Sequence, residues 1–228
     1  MLQKLVDFFA TKEVYSEVET YYTPTLAGNI LLLVIVIGIF VAMAAFTGGK
    51  KKVDVKQLSF SAMAITLAVL TSLIPVLRLP YGGSITYFSM FFICLIGYLY
   101  GPKAGVLTGI AYGFINLLLE PTILFPVQML LDYPIAYGFL GLTGFFAKSK
   151  YGLIKGYVIG VLGRYFCHVI TGCIFFYMYA PEGVHPFIYS LGYNASYIFP
   201  EAIATILLLA IPAVQNALKE VKRMTVQA

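Results

Sequence analysis

Apolar residues fill this 228-residue chain in seven stretches, 25–47, 58–77, 84–100, 103–119, 124–147, 155–180 and 187–216. A hydrocarbon core ~30 Å thick is crossed by about 20 helical residues, so the pattern predicts seven membrane-spanning helices. Only Tyr100, Gly101 and Pro102 separate the third stretch from the fourth, which leaves room for a turn and no domain. The last three stretches are long enough to tilt or to project beyond the bilayer. The expected fold class is an all-α integral membrane protein. Residues 47–57 are a short basic linker. It divides the chain into residues 1–57, carrying an extra transmembrane helix, and residues 58–228, a six-helix membrane domain.

Composition supports the membrane reading. Hydrophobic residues make up 60% of the chain and charged residues 11%, against ~25% charged in soluble domains. Lipid can solvate that much apolar surface and a soluble core cannot hide it. Cys94, Cys167 and Cys173 all fall inside apolar stretches, without metal-ligand or disulfide spacing, and read as small buried hydrophobes. Ala42-Met43-Ala44 resembles a leader-cleavage site, but Asp7, Glu13, Glu17 and Glu19 make the preceding segment long and acidic, so a retained helix is expected.

The net charge of +5 informs orientation rather than nucleic-acid binding. If every stretch crosses, Lys50, Lys51, Lys52, Lys56, Lys103, Lys148, Lys150, Lys155, Lys219, Lys222 and Arg223 share one side. Lys4, Lys12 and Arg78 occupy the other. The positive-inside rule then places the amino terminus outside and the carboxyl terminus in the cytoplasm.

Deep inside the stretches the ionisable side chains are few: Asp132, Arg164, His168 and Glu201. Such groups are costly in hydrocarbon, so each is a functional candidate. At ~1.5 Å rise per residue, Asp132, His168 and Asn194 lie ~10–18 Å from the outer boundary on three different spans. That convergence predicts an outward-facing pocket for a small polar, cationic molecule. Asp132 needs a cation, donors or water; a ligand cation or a helix–helix hydrogen bond to His168 would meet the need. Pro134 crowds the carbonyl of Leu130 and predicts a kink beside it.

His168, Gly172 and Phe176 recur every four residues on one helix face. Gly172 there either opens a notch for a flat ring or lets a neighbouring helix approach closely. Arg164 and Glu201 come out ~18–20 Å deep and are expected to pair as ions, with a proton relay through Glu201 as the functional alternative. The outer loop 80–86, bearing Tyr81 and Gly83, reads as a lid or as an ordinary turn. Ala64 and Ala68 form a small-xxx-small pair, a candidate contact for a protein partner. The sequence has no phosphate-cradling loop and no metal cluster. Uptake driven by ATP would therefore need an ATPase on another chain.

Three separated motifs carry a resemblance: Leu131-Asp132-Tyr133 with Ala136, Arg164-Tyr165-Phe166-Cys167-His168 with Gly172, and Tyr189-Ser190-Leu191-Gly192-Tyr193-Asn194. In this order and spacing, residues 58–223 resemble the thiamin-specific S component of energy-coupling factor (ECF) vitamin transporters. The resemblance implies a six-helix S-component-like bundle that binds thiamin from outside. The implied partners are a transmembrane scaffold protein and two ATPase subunits, with no cofactor of its own. By position, Asp132 stands where the family has an acidic residue beside the thiazolium, and Tyr133, His168, Gly172, Tyr189 and Asn194 fall on pocket positions. Phe176 stands where a stacking Trp occurs in the family, and the lid around Gly83 lacks the Trp of some members. Ala64 and Ala68 resemble the family's contact motif for the scaffold.

The function expected is thus capture of thiamin, a permanently cationic ligand, without chemical conversion. Two rivals from other classes stand beside it. One is a stand-alone proton-coupled carrier in which Glu201 titrates. The other is a membrane enzyme with Asp132 and His168 as acid and base, for which no accompanying nucleophile is evident.

Overall fold

The computed structural model describes residues 54–226 and short stretches between residues 8 and 34. The expected first span, 25–47, and its basic linker lie mostly outside the described residues. Near the amino terminus, β1 (Ala10–Val14) pairs antiparallel with β2 (Thr20–Pro24).

The membrane domain begins with α1 (Val55–Leu73), whose first turn is capped by the Asp54 carboxylate accepting from the Lys56 N–H at 3.0 Å. A short hairpin follows, β3 (Leu77–Arg78) against β4 (Ser84–Ile85), closed through a turn in which Tyr81 (φ 66°) and Gly82 (φ 95°) are left-handed. Then come α2 (Ser89–Tyr100), α3 (Pro102–Leu119), α4 (Pro126–Phe146), α5 (Gly152–Ile174), α6 (Pro186–Ala210) and α7 (Pro212–Val226). Proline opens α3, α4, α6 and α7, where its missing N–H costs nothing and its fixed φ suits the first turn.

Among the described residues, five helices are long and apolar enough to cross a membrane: α1, α3, α4, α5 and α6. The chain is a multi-pass membrane protein whose described crossing elements are all helices.

Several expected spans change shape. The third was expected over 84–100, but its helix starts only at Ser89, because the chain first makes the hairpin and then a left-handed residue, Phe88 (φ 61°). The sixth ends as an α-helix at Ile174 and continues through a 3₁₀ turn, Tyr177–Tyr179. The seventh, expected to run to 216, breaks at the extended Ile211 before Pro212, and α7 is a separate amphipathic helix. The kink expected at Pro134 takes the form of a π-helical turn, Leu131–Ile135, inside α4.

Glycine sets how closely the helices pack. Gly105, Gly109 and Gly113 form a stripe on α3 against the backbone of α4. A Cβ on Gly109 would lie 2.2 Å from the Tyr137 carbonyl oxygen, and one on Gly141 would lie 2.0 Å from the Val106 nitrogen. Without a hydrophobic force between helices in lipid, such contact surfaces are what hold a bundle together. The central core is built from Met90, Ile93, Tyr112, Leu140, Tyr157 and Ile198, all fully buried.

Ala64 and Ala68 belong to this interior. Ala64 packs with Ile96 and Ala104, and Ala68 with the central core. Both are buried inside the chain, so the expectation that they contact a protein partner is corrected. The close approach they permit is used by α2 and α3, while α1 turns Met63, Leu67, Leu70 and Leu73 outward.

Candidate binding site

The α4 π turn points Asp132 and Tyr133 inward, and both are buried. The Asp132 carboxylate gathers three donors. Gln128 Nε2, one turn earlier on α4, donates to Oδ2 at 2.7 Å. From α5, Thr171 Oγ1 donates to Oδ1 at 2.5 Å, and His168 Nδ1 meets the same oxygen at 3.0 Å. Arg164 Nε donates to His168 Nε2 at 3.4 Å. A ring nitrogen that accepts cannot carry the proton, so this order assigns it to Nδ1, facing the carboxylate. The result is a continuous line of guanidinium, imidazole and carboxylate.

Arg164 does not pair with Glu201, and that expectation is corrected. Its Nη2 donates to the Tyr137 hydroxyl at 3.3 Å, and its guanidinium sits 4.6 Å above the Tyr137 ring. The aromatic face and hydroxyl hold the cation in place of a carboxylate. Glu201 is occupied elsewhere, by Thr86, Ser89 and Met90.

These groups open into a cavity of about 380 Å³ at the end of the bundle under the hairpin. That is ample for a small organic ligand, whose sites run ~300–1,000 Å³. Asp132, Tyr133, His168, Gly172, Phe176, Tyr189 and Asn194 all line it, as do Tyr81 and Gly83 of the hairpin. Asn194 donates through Nδ2 to the His168 carbonyl (3.2 Å) and accepts from the Tyr197 hydroxyl (2.6 Å). Gly172 permits the close approach of α6, since a Cβ there would lie 2.2 Å from Ser190 Oγ. Phe176 has left the helical repeat that was expected to stack it above His168, because α5 stops two residues earlier. It stacks instead on Tyr179 (6.1 Å), which stacks on Tyr81 (4.2 Å), an aromatic run from α5 to the hairpin. Tyr189 and Tyr193 stack on the α6 wall at 5.8 Å.

The loop between α3 and α4 is tied to the same wall. Tyr133 donates to the Glu120 carbonyl and accepts from the Thr122 N–H, both at 2.8 Å. At the mouth Arg78 pairs with Glu120 at 3.0 Å, bridging hairpin and loop. Gln128, Thr171, Tyr137 and Asn116 line the cavity without having been singled out in the sequence. Gln128 lies four residues before Asp132 and Thr171 three after His168, so helical spacing alone puts each beside a residue already chosen.

A bundle crossing the membrane, hollowed at one end into an aromatic-walled cavity with a buried carboxylate and closed by a hairpin, is a solute-binding membrane protein. Known proteins sharpen this class. The family model for the thiamine transporter protein Thia_YuaJ matches residues 58–220. The thiamine transporter ThiT of Bacillus subtilis (strain 168) is 37% identical over 165 residues, 66% of this chain and 84% of its own. ThiT of Lacticaseibacillus paracasei is 29% identical over 167 residues, 66% of this chain and 80% of its own. A solved structure of ThiT from Listeria monocytogenes superposes with TM-score 0.63 at 22% identity, covering 75% of this chain and 97% of that one, which shows a shared fold. The chain belongs to the Thia_YuaJ family of thiamine transporters, proteins of transport rather than catalysis.

Proposed function

We propose that this protein captures thiamin from outside the cell and passes it inward as the substrate-binding subunit of an ATP-driven ECF assembly. The observation that carries the reading is the meeting of Asp132 and His168, from α4 and α5, at 3.0 Å inside an aromatic-lined cavity. Thiamin is a permanent cation with two flat rings. In low dielectric a carboxylate attracts such a charge more strongly than in water, while tyrosine and phenylalanine faces accept both rings and charge. Family membership supports the same ligand.

Orientation follows from charge. Lys56, Lys103, Lys148, Lys150, Lys155, Lys219, Lys222 and Arg223 sit at or beyond the helix ends remote from the cavity. With the basic end in the cytoplasm, the cavity opens outward, the amino terminus is outside and the carboxyl terminus inside. The scaffold and two ATPases are inferred from the resemblance, and so is treating residues 1–57 as an addition to the 58–228 domain. A stand-alone proton-coupled carrier gains no support from Glu201, which caps a helix and is not among the cavity-lining groups.

Purified protein is expected to be stabilised by thiamin, by about 2.7 kcal/mol at a hundred times the dissociation constant, read as a rise in melting temperature. Pyrimidine and thiazole fragments given separately should do less. No shift with thiamin overturns the reading. Thiamin uptake by cells should stop when the partner ATPases lose their phosphate-binding lysine; uptake that persists and instead collapses with the proton gradient would favour the carrier.

A further inference from the structure

The hairpin over the cavity is anchored from both ends by one helix. At its tip, Tyr193 of α6 donates to the Pro80 carbonyl and accepts from the Gly83 N–H at 3.0 Å. At its exit, Glu201 of the same helix takes Thr86. Glu201 Oε2 accepts from Thr86 Oγ1 at 2.6 Å and from Thr86 N at 3.3 Å. Its Oε1 accepts from Met90 N at 3.1 Å and Ser89 Oγ at 3.3 Å. Tyr193 and Glu201 are eight residues apart, ~12 Å along α6.

Glu201 also solves a local problem in α2. That helix starts behind Phe88, which makes no side-chain cap; Phe91 N donates to the Phe88 carbonyl at 3.0 Å, and the N–H groups before it, Met90 among them, have no acceptor within the helix. A carboxylate at a helix N-terminus satisfies those donors and complements the helix dipole. One buried group, 3% exposed, therefore ties Thr86, just past β4, to the start of α2. Thr86 and Ser89 line the cavity, but Glu201 itself does not.

The geometry points to Glu201 as a positioning residue for ligand retention: by holding Thr86 and the α2 N-terminus it sets the hairpin over the cavity, and so controls how fast a bound ligand leaves. The kinetic half of this inference rests on the thiamin reading; the effect on the hairpin does not. Recognition of the rings stays with the Asp132 network, which Glu201 does not touch.

The experiment compares Glu201→Gln, Glu201→Ala, Thr86→Val and Thr86→Ser with the parent protein in detergent. Dissociation of radiolabelled thiamin is expected to be about tenfold faster in Glu201→Ala, with association changed far less, since interface changes act mainly on the off-rate. Glu201→Gln keeps two acceptor lone pairs for the α2 cap and should fall between parent and Ala. Thr86→Val removes the hydroxyl bonds to Glu201 Oε2 and Ser89 Oγ but leaves Glu201 Oε1 on Met90 N, and should also release thiamin faster, whereas Thr86→Ser keeps slow release. Hydrogen exchange at residues 77–86 in ligand-free protein is expected to speed up in Glu201→Ala and Thr86→Val, and it reads the hairpin whether or not thiamin is the ligand. A lowered melting temperature with unchanged off-rate and unchanged hairpin exchange would make Glu201 a purely structural cap and overturn the inference. So would a loss of affinity arising wholly in association. If the parent fails to bind thiamin while hairpin exchange still responds as described, the ligand assignment falls and the positioning role stands.

Discussion

Replacing Asp132 with alanine is expected to reduce thiamin affinity by a factor between about 30 and several thousand, the 2–5 kcal/mol typical of truncating one partner of a buried charge pair. Two losses combine. The cation of the ligand loses its counter-charge in a site shielded from water. Gln128, Thr171 and His168 also lose the acceptor around which they converge, and buried donors left unpaired are themselves costly. Asp132→Asn separates the two, because the amide keeps the shape and one carbonyl oxygen but not the charge. Titration calorimetry should place Asn between Asp and Ala. An Asn variant that binds as tightly as the parent would remove the cation-pairing argument while leaving the network intact. His168→Ala should also weaken binding strongly, since it breaks the line from Arg164 to Asp132.

A single added methyl at Gly109 is expected to damage both stability and binding. Its Cβ would lie 2.2 Å from the Tyr137 carbonyl oxygen and 3.1 Å from the Gly138 Cα. The obstacle is backbone, so no rotamer change relieves it, and α3 and α4 must separate. Overpacking of this kind costs about 1–3 kcal/mol. The strain falls one turn from the π turn that carries Asp132 and Tyr133, so Gly109→Ala should lower the melting temperature and weaken thiamin binding together. Gly192→Ala on α6 is the control. Nothing lies within 4 Å of a Cβ there, and alanine is favoured over glycine in a helix by up to about 1 kcal/mol. Equal behaviour of the two variants would show that the glycine stripe does not set the helix spacing.

Much of this architecture was legible in the sequence because hydrocarbon leaves so few ways to place a polar group. Asp132, His168 and Asn194 could be matched by depth alone, and they line one cavity. Depth arithmetic failed for Arg164 and Glu201 because it gives height and not direction around the helix. Their heights match, yet each finds nearer partners: the Tyr137 ring for one, the open start of α2 for the other. That open start was invisible while residues 84–100 read as one continuous apolar run. The Ala64 and Ala68 pair shows the same limit in another form. Small residues announce that something packs closely, and here it was the chain's own α2 and α3. The glycine stripe on α3 lay in plain view as a four-residue repeat, but only coordinates tell which backbone it meets.

The π turn at Leu131–Ile135 has a genetic corollary. Such a turn accommodates about one residue more than an α turn. Loss of one codon inside it is absorbed when the wide turn closes, but loss of one codon in the regular helix just beyond, Ala136–Leu140, meets no such slack and swings the preceding half by about 100°. The carboxylate would then face away from the imidazole although every other codon was intact. Length variation in Ala136–Leu140 should therefore be as damaging to transport as loss of the aspartate itself, while the short connection around Lys148 to Lys150, at the far end of the bundle, should tolerate it.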